Sequence, residues 1–227
     1  MTIPVEVVFS RFQKLDCASI CDASPLAKPM APGLIPIKSG IKMAGIAKPV
    51  VCLNDYLTVI KAMEDAEPGE VLVVDGRGQT QAIFGELLAA EGKNKNLAGA
   101  VIDGAVRDLN GMRNIGFPVY YKYVNPQAGR AEVVEPPCKA VSVGGVIVNE
   151  GDFVLGDEDG IVVIPYDQIE TVLEVAEEIQ SVENRVAKNV SKGKTLKEVM
   201  GLETFRREHE KDIRSQLENY LSGKEED

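Results

Sequence analysis

Short apolar runs that end in an aspartate constrain the fold of this sequence most. Residues 71–75 read Val-Leu-Val-Val-Asp and residues 100–103 read Ala-Val-Ile-Asp. Continuous runs of this length are typical of strands buried on both faces, as in parallel sheets. Segments with helical character begin near Tyr56 and Glu86, and another follows Asp108. The alternation of strand and helix predicts an α/β fold.

The two ends of the chain differ from this middle part. Residues 5–23 have the spacing of a helix, whereas residues 131–165 are rich in Val, Ile and turn residues and predict several short strands. From residue 167 onward the apolar positions again have helical spacing. We therefore expect an α/β core at 1–166 and a helical extension at 167–227. The spacing leaves open whether the extension packs on a neighbouring subunit or on its own core.

The charge and the histidine count narrow the possible chemistry. The 227 residues include 35 acidic and 25 basic side chains, a net charge of −10, and a single histidine, His209. One histidine in a charged stretch argues against a Ser-His-Asp triad or a multi-histidine zinc site within one chain. Catalysis would then depend on carboxylates, arginine, backbone amides or a hard metal ion.

The same composition bears on partners and location. An acidic chain without a basic run lacks the electrostatic footprint of a nucleic-acid-binding protein. The sequence has no run of about 18 apolar residues, so we expect no membrane partner. Its first residues do not have the pattern of a signal peptide, and its four cysteines are scattered. We therefore expect a cytoplasmic protein with reduced cysteines.

Polar residues follow the apolar runs at the places where open α/β sheets bind ligands. These residues are Asp75, Asp103 and the pair Arg107-Asp108. A helix begins near Glu86, and its first-turn amides would attract an anion. Arg107 can bind a carboxylate in a bidentate manner, and Asp108 can bind a hard divalent cation. Two interpretations stay open: a site for a small carboxylic acid with a metal, or an Arg-Asp pair that tethers a loop.

Three other motifs give weaker signals. Gly76-Arg77-Gly78 follows a strand, but Gln81 breaks the dinucleotide-binding pattern. Gly193-Lys194-Thr195 lacks the earlier glycine of a phosphate-binding loop. The acidic run at 157–160 lies between two Val/Ile runs, so we predict a structural turn and not a calcium loop.

The stretch from Asp75 to Asp108 resembles a known family. An acidic residue, twenty intervening residues and then Arg-Asp is the hallmark of the 4-hydroxy-4-methyl-2-oxoglutarate and 4-carboxy-4-hydroxy-2-oxoadipate aldolases. The same RraA-like family includes the regulator of ribonuclease E activity A. Glu86 and Arg107-Asp108 keep this spacing, and the segments PGEVLVVDG at 68–76 and GDFVLGDEDGIVVIP at 151–165 stand in the expected order.

The resemblance implies a swivelling β/β/α fold and homotrimers that can pair into hexamers. It also implies a divalent-metal-dependent aldolase that releases pyruvate from 4-hydroxy-2-oxo acids such as 4-hydroxy-4-methyl-2-oxoglutarate. Oxaloacetate decarboxylation would follow from the same enolate. The alternative is a non-catalytic RraA-like regulator of a ribonuclease that acts by protein–protein interaction. Asp108 discriminates between them, because the regulators tend to lack this acidic ligand.

The resemblance also implies roles for individual acidic residues. Asp108 would bind Mg²⁺ or Mn²⁺, largely through waters, and Glu183 from the C-terminal helix of an adjacent subunit would reach the water shell of the metal. A base must remove the proton of the C4 hydroxyl group. Glu86 is the candidate base, acting directly or through a metal-bound water.

The remaining residues would bind the 2-oxo acid itself. By the resemblance, Arg107 contacts the keto oxygen of the substrate. The backbone amides of Leu87 and Leu88, which follow Gly85 at the start of the helix, hold the pyruvyl carboxylate. Arg107 would stabilise the enolate that forms when the carbon–carbon bond breaks.

Overall fold

The computed structural model describes residues 5–200. The helices are α1 Val5–Phe12, α2 Cys17–Ala23, α3 Tyr56–Glu64, α4 Glu86–Asn94, α5 Leu109–Ile115, α6 Ile169–Val190 and α7 Leu196–Val199. The strands are β1 Lys28–Pro29, β2 Ile35–Pro36, β3 Met43–Val51, β4 Glu70–Asp75, β5 Ala82–Phe84, β6 Gly99–Val106, β7 Val119–Val124, β8 Ala140–Val143, β9 Val146–Asn149, β10 Phe153–Gly156 and β11 Ile161–Ile164.

The central strands form a parallel sheet, as the apolar runs predict. In the described part of the chain, nine strands form one sheet in the order β1-β11-β10-β3-β4-β6-β7-β2, and β5 pairs with β6 off this path. Strands β3, β4, β6 and β7 are parallel to one another, while β10, β11 and β1 beyond β3 and β2 beyond β7 extend the sheet in antiparallel fashion. The predicted α/β fold is confirmed.

Burial on both faces explains why the strand sequences are continuously apolar. Leu72 and Ile102 point to the face covered by α3, α4 and α5. Val71 and Val101 point to the opposite face, which the β8–β9 hairpin covers. Neither face of β4 or β6 is open to water, so neither strand needs alternating polar residues.

The first helical region differs from the single helix predicted over 5–23. It forms two helices, because the carboxylate of Asp16 accepts a hydrogen bond from the Ser19 amide at 2.7 Å and begins a new helix there. Phe12 of α1 stacks on Phe153 of β10 with ring centroids 4.3 Å apart. The early helices therefore pack over the antiparallel side of the sheet.

Helix α6 crosses the boundary between two compact units. The first unit extends to Ile179 and the second begins at Gln180. Ile169, Val172 and Leu173 of α6 are buried in the core of the first unit. The division predicted after residue 166 stays a prediction, and His209 with the rest of the tail from residue 201 lies outside the described residues.

Two smaller expectations concern a turn and membranes. The Asp157 amide donates to the Gly160 carbonyl at 3.0 Å, and the Asp157 carboxylate accepts from the Cys17 amide at 2.8 Å, so the acidic run forms the predicted structural turn. Among the helices of residues 5–200, none combines the length and apolar composition that a bilayer-spanning segment requires.

Candidate functional site

Two adjacent turns bring the predicted site residues together. Strand β5 ends at Phe84, and its carbonyl accepts a hydrogen bond from the Arg107 amide at 3.0 Å. The turn that begins α4 is therefore attached to the turn that follows β6. On its other side β5 is held by residues 127–129, since the Ala82 amide donates to the Gln127 carbonyl at 2.8 Å and the Gly129 amide to the Ala82 carbonyl at 2.9 Å.

The N-terminus of α4 points its amides toward this junction. Gly85 is the N-cap in an extended conformation, with φ −165° and ψ −166°, and it has no side chain to cap the helix. The Ala89 amide closes the first turn onto the Gly85 carbonyl at 3.0 Å. The amides before it, of Glu86, Leu87 and Leu88, have no intrahelical acceptor by their position, and together they favour a bound anion.

Asp108 has a backbone conformation that aspartate adopts infrequently. Its φ of 60° and ψ of 38° lie in the left-handed region, although it is the N-cap of α5. Its carboxylate does not cap that helix, and Oδ2 lies 3.3 Å from Nε of Arg107. Both side chains are somewhat more than two-fifths exposed. Asn54, Arg77 and Asn96 are left-handed as well, so the exposure of Asp108 and its lack of a capping role, and not its conformation alone, mark it as a candidate site residue.

Gly85 provides the space in which Arg107 and Asp108 meet the helix. A Cβ atom at position 85 would lie 2.7 Å from Oδ2 of Asp108 and 3.2 Å from Cγ of Arg107. Both side chains therefore pack directly against the N-cap backbone of α4. This contact places a carboxylate and a guanidinium beside the amides of the helix start.

The Glu86 side chain packs against the backbone of Gly111 in a similar way. A Cβ atom at position 111 would overlap the Glu86 carboxylate, so the Glu86 side chain lies against the α5 backbone. Glu86 is exposed and does not line the adjacent pocket. The sequence analysis missed Gly111; the available signal was a glycine inside a helical pattern, which is costly unless something packs there.

A pocket of about 360 Å³ opens beside these residues. It contains five of the six sequence-predicted residues of this region, Glu86 being the exception. Its lining residues are Tyr56, Ile60, Ala82, Phe84, Gly85, Leu87, Leu88, Glu91, Arg107, Asp108 and Ala128. The wall formed by α3 and β5 was not predicted, because the three residues of β5 are too few to give a strand pattern.

Asp55 fixes the position of the α3 wall. Its buried carboxylate accepts hydrogen bonds from the amides of Leu57 at 3.0 Å, Glu132 at 2.7 Å and Val133 at 2.7 Å. Burial opposes ionisation of this group, but the amides of Glu132, Val133 and Leu57 outweigh it and hold the pKa of Asp55 below its usual value. The ionised carboxylate of Asp55 thus links the start of α3 to the segment after Arg130 through these hydrogen bonds.

The other two aspartates of the apolar runs are Asp75, at the end of β4, and Asp103, which lies inside β6 because that strand continues to Val106. With Arg77 and Lys122 they form a separate group, which we call the paired cluster. Oδ2 of Asp75 lies 3.1 Å from Nε of Arg77, and Oδ1 of Asp103 lies 2.7 Å from Nζ of Lys122. The Gly144 amide of the β8–β9 turn also donates to Asp103 at 3.2 Å. None of the four lines the pocket, so the structure does not bring them to the predicted site.

The donor set of the site suits a hard cation with few protein ligands. Within residues 5–200 there is no group of three or more His, Cys, Asp or Glu side chains that could hold a metal ion. Asp108 offers one half-exposed carboxylate that its own helix does not use. Mg²⁺ often binds through one or two carboxylates and keeps several waters, so the group fits it.

Glu183 lies on the exposed surface of α6, in the second unit. Its expected contribution from an adjacent subunit stays a prediction. The residues Gly85, Glu86, Arg107 and Asp108, which the structure brings into contact around the α4 and α5 starts, are called the pocket cluster below.

Comparison with known proteins gives consistent results. The family model described as RraA-like, Aldolase/RraA, matches residues 17–163. A protein of Halalkalibacterium halodurans named "Putative 4-hydroxy-4-methyl-2-oxoglutarate aldolase" is 33% identical over 174 residues, which cover 76% of this chain and 83% of that protein.

Solved structures show the same fold. RraAS2 of Streptomyces coelicolor, titled an unusual member of the RNase ES inhibitor RraA family, has a TM-score of 0.69 at 25% identity and covers 81% of this chain and 97% of its own. The RNA-processing inhibitor RraA from Thermus thermophilis has a TM-score of 0.62 at 28% identity, over 66% of this chain and 92% of its own. The chain therefore belongs to the RraA-like family of aldolases and RraA proteins.

Proposed function

We propose that this chain is a divalent-metal-dependent aldolase that cleaves 4-hydroxy-2-oxo acids, such as 4-hydroxy-4-methyl-2-oxoglutarate, and releases pyruvate. The observation that carries the proposal is the contact of Arg107 and Asp108 with Gly85 at the start of α4. A guanidinium, a carboxylate and outward-pointing amides there suit a 2-oxo acid and a cation. The relatives named as aldolases support the same reaction class.

The carboxylate and keto oxygen of the substrate would be bound by different groups. The amides of Leu87 and Leu88 would bind the carboxylate, favoured by the helix dipole. Arg107 would donate to the 2-keto oxygen. When the C3–C4 bond breaks, its electron pair moves to that oxygen as an enolate, and a donor in this position stabilises the transition state by about 2.7–4 kcal/mol.

Glu86 is the base in this proposal. It would accept the proton of the C4 hydroxyl group, so that C4 becomes a carbonyl and C3 is later protonated to give pyruvate. Its carboxylate lies over Gly111, at the start of α5 next to Asp108. A long, exposed side chain can turn from there toward the pocket mouth.

Asp108 would hold Mg²⁺ or Mn²⁺, with Glu183 of a neighbouring copy at its water shell. When bound, the cation supplies Lewis-acid polarisation of the 2-oxo group. The same polarisation supports decarboxylation of oxaloacetate, which passes through the same enolate.

We expect the active form to be a homotrimer or a hexamer built from two trimers. The Leu87 side chain is 81% exposed at the pocket mouth. An exposed apolar side chain in this position favours contact with another subunit. The substrate partner would be a small 2-oxo acid, and no nucleic acid or membrane partner is expected.

Pyruvate release with and without metal tests the proposal. We expect release from a panel of 4-hydroxy-2-oxo acids and from oxaloacetate, loss of this activity with a chelator, and recovery with added Mg²⁺ or Mn²⁺. Lack of pyruvate from every compound with metal present would refute it.

A second candidate is a non-catalytic regulator that binds a ribonuclease. The likeness to the RNA-processing inhibitor from Thermus thermophilis favours it. The exposed, strained Asp108 is the feature it does not need. If the chain binds and inhibits a purified ribonuclease E equally well with Asp108→Ala, while no compound yields pyruvate, the regulator is the better assignment.

A further inference from the structure

We propose that the open edge of strand β3 is a docking site for an extended peptide segment of a partner protein. The segment would add to the sheet as one short strand and would carry a basic residue beside it. No residue that lines this groove also lines the pocket at the α4 start. The inference therefore concerns a separate surface and does not depend on the proposed reaction.

The outer edge of β3 loses its neighbouring strand halfway along. The Ala47 amide donates to the Asp152 carbonyl at 2.7 Å, and the Gly151 amide donates to the Ala47 carbonyl at 3.2 Å. Because backbone groups alternate in direction along a strand, the carbonyl of Pro49 and the amide and carbonyl of Val51 face the same side as those of Ala47. In the described part of the chain no backbone group pairs with these three.

The turn before β10 keeps this edge open. The Asp152 carboxylate accepts hydrogen bonds from the Asn149 amide at 2.8 Å and from the Tyr166 amide at 3.3 Å. These bonds fix the turn between β9 and β10, so the chain meets β3 only as far as Ala47. Pro49 has no N–H to leave unpaired, as is typical of an open edge. An open edge of this kind is a template for another strand.

A groove of about 490 Å³ lies along the open edge. Ala62 of α3 lies on one side of it, and residues 134–138 lie on the other. Pro136 and Pro137 of that segment have no amide to donate to the edge. The open stretch at 48–51 is about 13 Å long, which matches an added strand of about four residues.

The charges of the groove favour a basic partner. Lys48 and Lys61 line it, but their ammonium groups already lie 3.5 Å and 2.8 Å from carboxylate oxygens. Glu135 and Glu150 line it as well, and among the described residues neither forms an ion pair. A Lys or Arg beside the added strand would thus meet unpaired carboxylates, whereas an acidic residue would be repelled.

Binding of two short peptides to the full chain tests the inference. The fluorescein-labelled peptides Arg-Val-Thr-Val-Arg and Glu-Val-Thr-Val-Glu have the same strand-forming centre and differ in charge. By fluorescence polarisation we expect the basic peptide to bind about tenfold tighter or more. Equal binding of both peptides, or binding of neither, would overturn the inference.

Backbone methylation separates strand addition from simple apolar burial. The nitrogens of the basic peptide are methylated one at a time. Since alternate amides of an added strand face the edge, binding should weaken about tenfold at every second position and change little between them. A loss that is uniform along the peptide, or no loss, would show that no strand is added.

Val51→Pro removes the one edge amide that faces the groove. The Cys52 amide donates to the Asp75 carbonyl of β4 at 3.0 Å, so the Val51 amide is not needed for pairing with β4. We expect about tenfold weaker binding of the basic peptide. Val51→Thr keeps both the amide and the side-chain shape, and it should bind normally. Should Val51→Pro not fold, the methylated peptides decide the question on the unaltered chain.

Glu150→Gln tests the charge of the groove. It should weaken the basic peptide by about threefold and leave the acidic peptide no weaker. Glu178→Gln is the matched control, because Glu178 is also exposed and lies outside the groove lining. An equal effect of both variants would reduce the preference to the overall charge of the chain and would contradict the docking site.

The oligomeric state distinguishes a partner peptide from a second copy of this chain. Sedimentation with and without the basic peptide should show the same assembly, because the peptide occupies a free edge. If the peptide or Val51→Pro dissociates the assembly, the edge joins copies of this chain and the inference is wrong.

Discussion

The paired cluster and the pocket cluster both lie toward the carboxyl ends of the central strands and both hold ion pairs, yet they differ in exposure. In the paired cluster the carboxylates of Asp75 and Asp103 are only 12% and 15% exposed, and each lies beside a cation. In the pocket cluster Arg107 and Asp108 are 44% and 43% exposed. An acidic residue at a strand end therefore does not identify a site by itself.

Exposure and hydrogen bonding of the carboxylates mark the difference, because left-handed residues occur in both clusters, Arg77 in one and Asp108 in the other. Asp108 is left-handed and packs against Gly85, and Glu86 packs against Gly111. Asp103 instead accepts hydrogen bonds from Lys122 and from the Gly144 amide, which satisfies its oxygens. One arrangement stabilises the fold, whereas the other keeps groups available for a ligand at some conformational cost.

Asp108→Ala should have the largest effect. We expect kcat/KM for pyruvate release to fall by about a thousandfold, about 4 kcal/mol, because the carboxylate proposed to hold the cation is removed. The measurement is steady-state turnover with saturating Mg²⁺ or Mn²⁺. Turnover within a few-fold of the unaltered chain would place the metal elsewhere.

Asp103→Ala should lower stability and leave turnover nearly unchanged, in contrast to Asp108→Ala. It leaves Lys122 and the Gly144 amide without their acceptor, so the free energy of unfolding should fall by about 2 kcal/mol. Urea unfolding measures this loss, and kcat should stay within about twofold. A large loss of turnover at unchanged stability would show that the paired cluster takes part in the reaction.

Gly111→Ala tests whether the Glu86 carboxylate must lie where it does. The added methyl group displaces the flexible end of a side chain, so stability should hardly change while kcat falls by about tenfold, about 1.4 kcal/mol. KM should change less than kcat. The contrasting control is Gly92→Ala of α4, whose Cβ would lie 2.7 Å from the ring of Phe117.

In that control we expect about 1–3 kcal/mol of destabilisation from overpacking, with kcat retained in the folded protein. An equal loss of stability in both variants would mean that Gly111 has an ordinary packing role.

Asp55 caps α3 next to the pocket wall and is fully hydrogen-bonded, as the carboxylates of the paired cluster are, so its contribution to stability should depend on pH. Its folded pKa is lowered, so its stabilisation is present above its unfolded pKa of about 3.9 and is lost as pH falls through the folded value. Relative to Asp55→Asn, the unaltered chain should progressively lose its advantage in unfolding free energy as the pH falls below about 4. A difference that is constant from pH 7 to pH 3 would contradict this.

Asp108→Gly should give the smallest change in stability, and of opposite sign to the other variants. Glycine adopts a φ of 60° without steric cost, so the free energy of unfolding should rise by about 0.5 kcal/mol and the melting temperature should rise slightly. Activity should be lost, because the carboxylate is removed. Thermal unfolding and pyruvate release on the same samples measure both. A drop in stability would show that the left-handed conformation of Asp108 is not strained.

The sequence predicts the parts of this molecule whose signals are local. The buried runs at 71–75 and 100–103 became β4 and β6, and the helix at Tyr56–Glu64 begins at the Asp55 cap. The spacing of Glu86 and Arg107-Asp108 located the two turns that meet at Gly85. These elements can be predicted from the sequence because a continuous apolar run and a helix cap are patterns of residues that are close together in the chain.

Other features could not be predicted because they depend on the tertiary fold. The separation of Asp103 from Asp108 follows from strand alternation and from the position of the β8–β9 hairpin, which no local pattern specifies. The wall made by Tyr56 and Ile60 requires α3 to lie across from α4. The contact of Gly111 with Glu86 joins two helices that are packed only in the folded chain.

The short strand β5 has a consequence for motion at the site. Its backbone is hydrogen-bonded on one side to β6 and the Arg107 amide and on the other to residues 127–129. Amide hydrogen exchange in β5 should therefore be slow, with opening energies close to those of the central sheet. Adjustment to a ligand would then come from side-chain rotation of Glu86 and Arg107 within nanoseconds, without the slower movement of a loop.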